Sequence, residues 1–272
     1  MITIGDIDAD SPAKKIERFR PLATYLAEEL QEFGVNEGRV VIAQDIEQMA
    51  QFMADGTVDI YLDSTYPTLK VQELAETKII ARRWKNDVPT YWSTYVAARD
   101  GEIEQVGDFA GKILAFEEPF STSGFILPAG TLIERGLTLT EVSGPDTTVA
   151  SDEIGYFFSG DEENTFEALL QGRVSGGGVS NLDYQLLPEE LKQRIVAIDQ
   201  TIEVPRQLVS VRPGLPPDLA TRISELLTNL DQTEKGRQLL SSLKKTRKFD
   251  LLPPESRPIL DELKKLMRLV AD

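Results

Sequence analysis

Short aliphatic and β-branched runs alternate along the whole chain with longer segments of helical periodicity. That alternation limits the possible folds more than any other feature. Residues 2–4, 40–43, 58–62, 79–81 and 91–98 read as strands. Between them, Ile16, Phe19, Ala23, Leu26, Leu30 and Phe33 recur at near-helical spacing behind the Ser11-Pro12 start signal, with Pro21 expected to kink or restart that helix. Asp45 caps a segment ending near Gly56, and another helix runs to about Ala75. A second block repeats the pattern, with strands at 112–116, 154–158, 173–179, 195–198 and 207–211 and helices at 122–135 and 166–170. Helices at about 217–230, 234–243 and 255–270 close the chain. Such alternation predicts an α/β fold with mostly parallel sheets. With 272 residues there is room for two units, connected near residues 99–106 and 201–205. If both connections join the same two lobes, lobe 1 is discontinuous (1–98 and 204–272), lobe 2 is 99–203, and a ligand is expected in the cleft between them.

Composition narrows the function. The chain carries 45 acidic and 29 basic residues, a net charge of −16, which opposes broad contact with nucleic acid or anionic lipid. There is no Cys and no His, so thiolate metal sites, disulfides, Cys nucleophiles, Ser-His-Asp triads and His general bases are excluded. Binding is favoured over catalysis, and no cofactor or metal is expected. Asp6, Asp8, Asp10 and Glu17 imitate a calcium loop, but Ser11 replaces the turn glycine and no entering helix fits before it. A loop bearing Asp6 toward a cleft, or a solvated one, is the better reading. Ser11-x-x-Lys14 and Ser241-x-x-Lys244 lack the companion motifs of Ser–Lys hydrolases. The first residues carry neither a basic nor an apolar leader region, which fits a cytoplasmic protein or a chain whose leader was removed.

The most informative segment is Phe116-Glu117-Glu118-Pro119-Phe120-Ser121-Thr122-Ser123-Gly124-Phe125. A strand ends, a Pro loop follows, and three hydroxyl residues open a helix. Its unpaired N–H groups and dipole suit an anion; the alternative is that Ser121 or Thr122 only caps the helix. Asp63 and Ser64 stand at the C-terminal end of a strand, where α/β folds bind ligands. In Asp161-Glu162-Glu163 one carboxylate either faces the cleft to meet a ligand ammonium or merely complements a helix start. Arg82 and Arg83 are attractive anion partners or a solvated strand end, and the basic run 244–248 reads as an exposed helix end.

Ser121-Thr122-Ser123-Gly124-Phe125 behind Glu118-Pro119, together with Tyr91-Trp92-Ser93 and Gly56-x-Val58-Asp59 in matching order, resembles the PhnD-type phosphate/phosphite/phosphonate-binding proteins of ABC importers. The resemblance implies a two-lobed type II periplasmic-binding-protein fold with two hinge crossings. It implies that Ser121, Thr122 and Ser123 hold phosphoryl oxygens, that Tyr91 meets the ligand, and that Asp63 or Ser64 lines the cleft. Asp161 and Asp6 complete the candidate set. The implied partners are a small phosphorus oxyanion and a membrane permease, with the protein extracytoplasmic, monomeric and its leader removed. A ligand-sensing module of a signalling system is the alternative. The chain departs from the family at two places: Gly160 or Asp161 stands where many members carry His, and Ser175 where an Asp is usual.

Overall fold

The computed structural model describes residues 1–8, 12–243 and 245–271. Asp10, Ser11 and Lys244, named above for capping, calcium and hydrolase motifs, lie outside them. In chain order the elements begin β1 (Ile2–Ile7), α1 (Pro12–Glu29), β2 (Gly38–Ala43), α2 (Ile46–Ala54), β3 (Ile60–Asp63), α3 (Thr65–Ala75), β4 (Lys78–Lys85) and β5 (Thr90–Tyr91). There follow β6 (Ser93–Ala98), β7 (Ile113–Phe116), a π-turn (Thr122–Ile126) running into α4 (Leu127–Glu134), β8 (Thr138–Glu141), β9 (Glu153–Phe158), α5 (Glu162–Leu170), β10 (Gly176–Ser180), α6 (Asn181–Leu186), α7 (Glu189–Lys192), β11 (Ile195–Gln200) and β12 (Val204–Pro205). The chain ends with β13 (Gln207–Val211), α8 (Pro217–Thr228), α9 (Glu234–Ser242), β14 (Thr246–Asp250) and α10 (Ser256–Ala271).

Two compact units result. The first comprises Met1–Thr90 and Pro205–Ser256, the second Tyr91–Val204 and Arg257–Asp272. Residues 91–98 and the last helix therefore group with the second unit, not with the first as expected from sequence, and the chain passes between units three times rather than twice. The last helix goes there because Leu260, Leu263, Leu266 and Met267 form a buried stripe whose Leu266 sits on Gly130 of α4, where an added Cβ would come within 2.7 Å of it. Lys265 pairs with Glu134 of the same helix α4.

In the first unit, the strands among the described residues order as β14-β4-β13-β3-β1-β2, with β1, β2, β3 and β4 parallel to one another and β13 and β14 opposed. β1 is buried along its whole length because helices cover both faces. Ile2 and Ile4 pack with Phe19, Leu22 and Leu26 of α1 and with α8, while Ile7 packs with Met49 and Met53 of α2 and Tyr61. α1 continues through Pro21 without restarting; Phe19, Leu22, Ala23 and Leu26 flank the proline on the buried face. The basic run after α9 is an edge strand rather than a helix end, because Arg82 and Arg83 of β4 hold its side chains. Arg82 donates to both oxygens of Asp250 at 2.9 and 2.7 Å, and Arg83 donates to Thr246 Oγ1 at 2.9 Å.

The second unit orders as β11-β6-β10-β7-β9-β8 among the described residues, with only β6 antiparallel to its neighbours. The strand expected at 91–98 is broken at Trp92, and β8 was not anticipated: it is an edge strand of which only Leu139 is even partly buried. Gly178 of β10 lets α4 approach closely, since a Cβ there would come within 2.5 Å of Pro128.

Candidate functional site

In the second unit the Ser-Thr-Ser segment follows the C-terminal end of β7. Phe116, Phe125, Tyr156 and Phe158 form a ring cluster beneath it, with centroids 4.8–5.7 Å apart. The Tyr95 hydroxyl donates to Pro128 O at 2.7 Å and anchors the following helix. Ser121 is the N-cap: its Oγ accepts from Gly124 N at 2.9 Å. Thr122 and Ser123 are buried. Of the two readings the sequence offered for Ser121, the structure displays the cap.

The same Ser121 hydroxyl donates to Glu117 Oε2. Glu117 is pinned from both sides, its N–H donating to Gly124 O at 3.1 Å and its carbonyl accepting from Gly160 N at 2.9 Å. A Cβ on Gly124 would fall 2.4 Å from both Cβ and Oε2 of Glu117, so only glycine permits this approach. Glu162 of α5 shares a hydrogen bond with Glu117; burial first, then the Glu117 and Asp183 charges, push its carboxyl up to about 8. Near neutral pH this carboxyl pair retains a proton. Asp161 does not belong to the pair. It is exposed and caps α5, accepting from Asn164 N at 2.7 Å. Ser159 Oγ is engaged with Phe116 O and Thr165. The ground beside the three hydroxyls is therefore acidic and partly protonated, suited to a ligand that brings an ammonium or accepts an O–H.

Tyr91, on β5, is 1% exposed. In the first unit the C-terminal ends of β1 and β3 bring Asp6 and Asp63 within electrostatic reach of each other. Asp6 is buried and pairs with Lys15 of α1 at 2.9 Å; burial outweighs that pairing and raises its carboxyl to about 6. Asp63 accepts from the Tyr61 hydroxyl at 2.9 Å and from Ser64 N at 2.6 Å. Ser64 is the N-cap residue of α3, yet its hydroxyl makes no cap bond. Arg82 and Arg83 are structural rather than ligand groups: Arg83 also donates to Gln207 Oε1 at 2.9 Å and to Leu243 O.

Sequence reasoning gave no separate role to Glu117 and Glu162, and did not single out Lys15 or Lys85. For Glu117 a signal existed, a carboxylate four residues before the capping serine. Among the described residues no cluster of acidic residues suits a metal ion, and no helix is long and apolar enough to cross a membrane.

A family model described as the phosphonate periplasmic substrate-binding protein of ABC transporters matches residues 4–252. The phosphate-import protein PhnD of Mycolicibacterium smegmatis is 28% identical over 180 residues, 65% of this chain and 54% of that protein, so the match spans about half of the relative's length. XAC2383 from Xanthomonas citri, solved bound to chloride ion, is similar with a TM-score of 0.91 at 25% identity, covering 99% of this chain and 98% of that one. PhnD1 from Prochlorococcus marinus, in complex with methylphosphonate, has a TM-score of 0.67 at 15% identity with 98% of each chain covered, a likeness of fold. The fold is that of the type II periplasmic binding proteins, as the resemblance implied. With its Ser-Thr-Ser helix start at the C-terminal edge of a parallel sheet and its family match across nearly the whole length, this chain belongs to the phosphonate substrate-binding proteins of ABC transporters.

Proposed function

We propose that the protein binds a small phosphorus oxyanion, among them phosphate, phosphite and phosphonates, and delivers it to a membrane permease outside the cytoplasm. The observation that carries this reading is the Ser121-capped helix start, which presents backbone N–H groups and the Thr122 and Ser123 hydroxyls after the C-terminal end of β7. The phosphoryl oxygens accept from the Thr122 and Ser123 hydroxyls, from first-turn N–H groups, and from the Ser121 hydroxyl once it turns from Glu117 to the ligand. Tyr91, and in the first unit Asp63 or Ser64, are further candidate contacts for such a ligand. The Glu117–Glu162 pair favours an aminoalkyl phosphonate, whose ammonium would offset the carboxylate charge. Binding, not turnover, is the activity, and a monomer without nucleic-acid partners is the expected working form.

Calorimetric titration with phosphate, phosphite, methylphosphonate and 2-aminoethylphosphonate, with sulfate as control, tests the reading. One phosphorus oxyanion should bind tightly, and the amino compound should outrank methylphosphonate. Replacing Ser121, Thr122 and Ser123 together by Ala should weaken binding steeply, since a hydrogen bond to a charged group contributes about 1.5–3 kcal/mol. Unchanged affinity in that variant refutes the assignment of the oxyanion to these hydroxyls.

A further inference from the structure

The first unit holds a cation whose ammonium no described residue engages. β4 ends at Lys85, and residues two apart on a strand share a face. Lys85 therefore follows Arg83 on the face where Phe19 of α1 lies under the Arg83 guanidinium at 5.7 Å. Arg83 spends its donors on Thr246, Gln207 and Leu243. Asp6 is taken by Lys15, and Asp63 by Tyr61 and Ser64. Lys85 pairs with Thr246 through its backbone, but its ammonium has neither hydrogen bond nor ion pair among the described residues. Its charged neighbours are Arg83 on its own strand, Arg206 before β13 and Lys15 on α1, against Asp63 at the end of β3. Burial first, and these cations next, push the Lys85 ammonium down to about 7.

A second observation converges on the same edge. α1 is an 18-residue helix that starts just after β1, and its first turn contains no acid. It carries Lys14 and Lys15 instead, the reverse of what the helix dipole favours. Asp6 offsets Lys15 at 2.9 Å, and the like charge that remains at the positive end of the helix is an arrangement that a bound anion would relieve.

We propose that this edge of the first unit is an oxyanion-binding site, in which the Lys85 ammonium, with Lys15 and the first turn of α1 beside it, holds a negatively charged oxygen of the ligand. The proposal rests on the phosphorus-oxyanion reading and deepens it by naming a charged donor for such a ligand in the first unit. Binding stabilises the ammonium, so above neutrality Lys85 takes a proton from the buffer as the anion arrives, in the sense linkage requires.

The test follows the Lys85 side-chain resonance by NMR from pH 5.5 to 9.5, alone and with phosphate, methylphosphonate, 2-aminoethylphosphonate or sulfate, while calorimetry records the same titrations in two buffers of different ionisation enthalpy. Lys85 should titrate near 7 alone and above 9 with the bound phosphorus oxyanion, with uptake of about 0.9 proton at pH 8. Lys85→Met should weaken binding at least tenfold at pH 6.5. Lys85→Arg should bind within threefold of the parent but without the uptake, which separates it from the Glu117–Glu162 pair that titrates in the same range. Binding by calorimetry with an unmoved Lys85 overturns this site and leaves the phosphorus-oxyanion reading standing. No heat and no shift with any anion overturns both, and a shift with sulfate alone supports the anion site while refuting the phosphorus class.

Discussion

Replacing Glu162 by Gln should stabilise the protein near neutral pH, and the structure sets the size and pH range of the gain. The Glu162 carboxyl is raised from 4.5 to about 8 by burial and by the Glu117 and Asp183 charges. Below pH 4.5 it is protonated in both folded and unfolded chains. Between 4.5 and 8 the unfolded chain loses the proton while the folded one keeps it, so stability falls as pH rises. At about 1.4 kcal/mol per pH unit, the loss accumulated by pH 7.5 is about 2–4 kcal/mol once relaxation of the coupled pair is allowed for. Gln keeps the hydrogen bond to Glu117 and never has to lose a proton. Urea denaturation at half-unit steps from pH 4.5 to 9 should show the two proteins diverging steadily up to pH 8 and running parallel above it. Asp6, raised to about 6, contributes equally to both curves and cancels. Curves parallel from pH 5 to 8, or a variant less stable throughout, would refute the claim that this buried pair holds a proton.

Ser121→Ala removes both the cap and the partner of Glu117, and should cost about 1–2 kcal/mol in chemical denaturation. Gly124→Ala drives a methyl group into Glu117 and should cost about 1–3 kcal/mol by the same assay, with near-normal stability counting against the tight approach. Lys15→Met strips Asp6 of its partner, so carboxyl titration by NMR should find Asp6 above its present value of about 6; a fall would contradict the ion pair.

Local signals carried much of the architecture. The strand–helix alternation, the Asp45 and Ser121 caps and the amphipathic last helix were all legible, because each depends on residues within a turn or two of one another. What was missed depends on pairs far apart in the chain. The segment 246–250 becomes a strand because Arg82 and Arg83, more than 160 residues earlier, supply its partners. The last helix docks in the second unit because Gly130 leaves room for Leu266, a fit that no periodicity announces.

At the candidate site the division is similar. The three hydroxyls and the strand-end Asp63 and Ser64 follow from sequence, since a cap and a strand end are short-range features. That Glu162 rather than Asp161 turns inward follows from helix geometry once Asp161 is spent on Asn164 N. The protonation of the Glu117–Glu162 pair and the low affinity of Lys85 for its proton were decided only by tertiary structure. Charge energetics depend on distance and burial, and folding sets both by bringing β7 against α5 and β4 beside α1, elements whose spacing along the chain says nothing of their spacing in space.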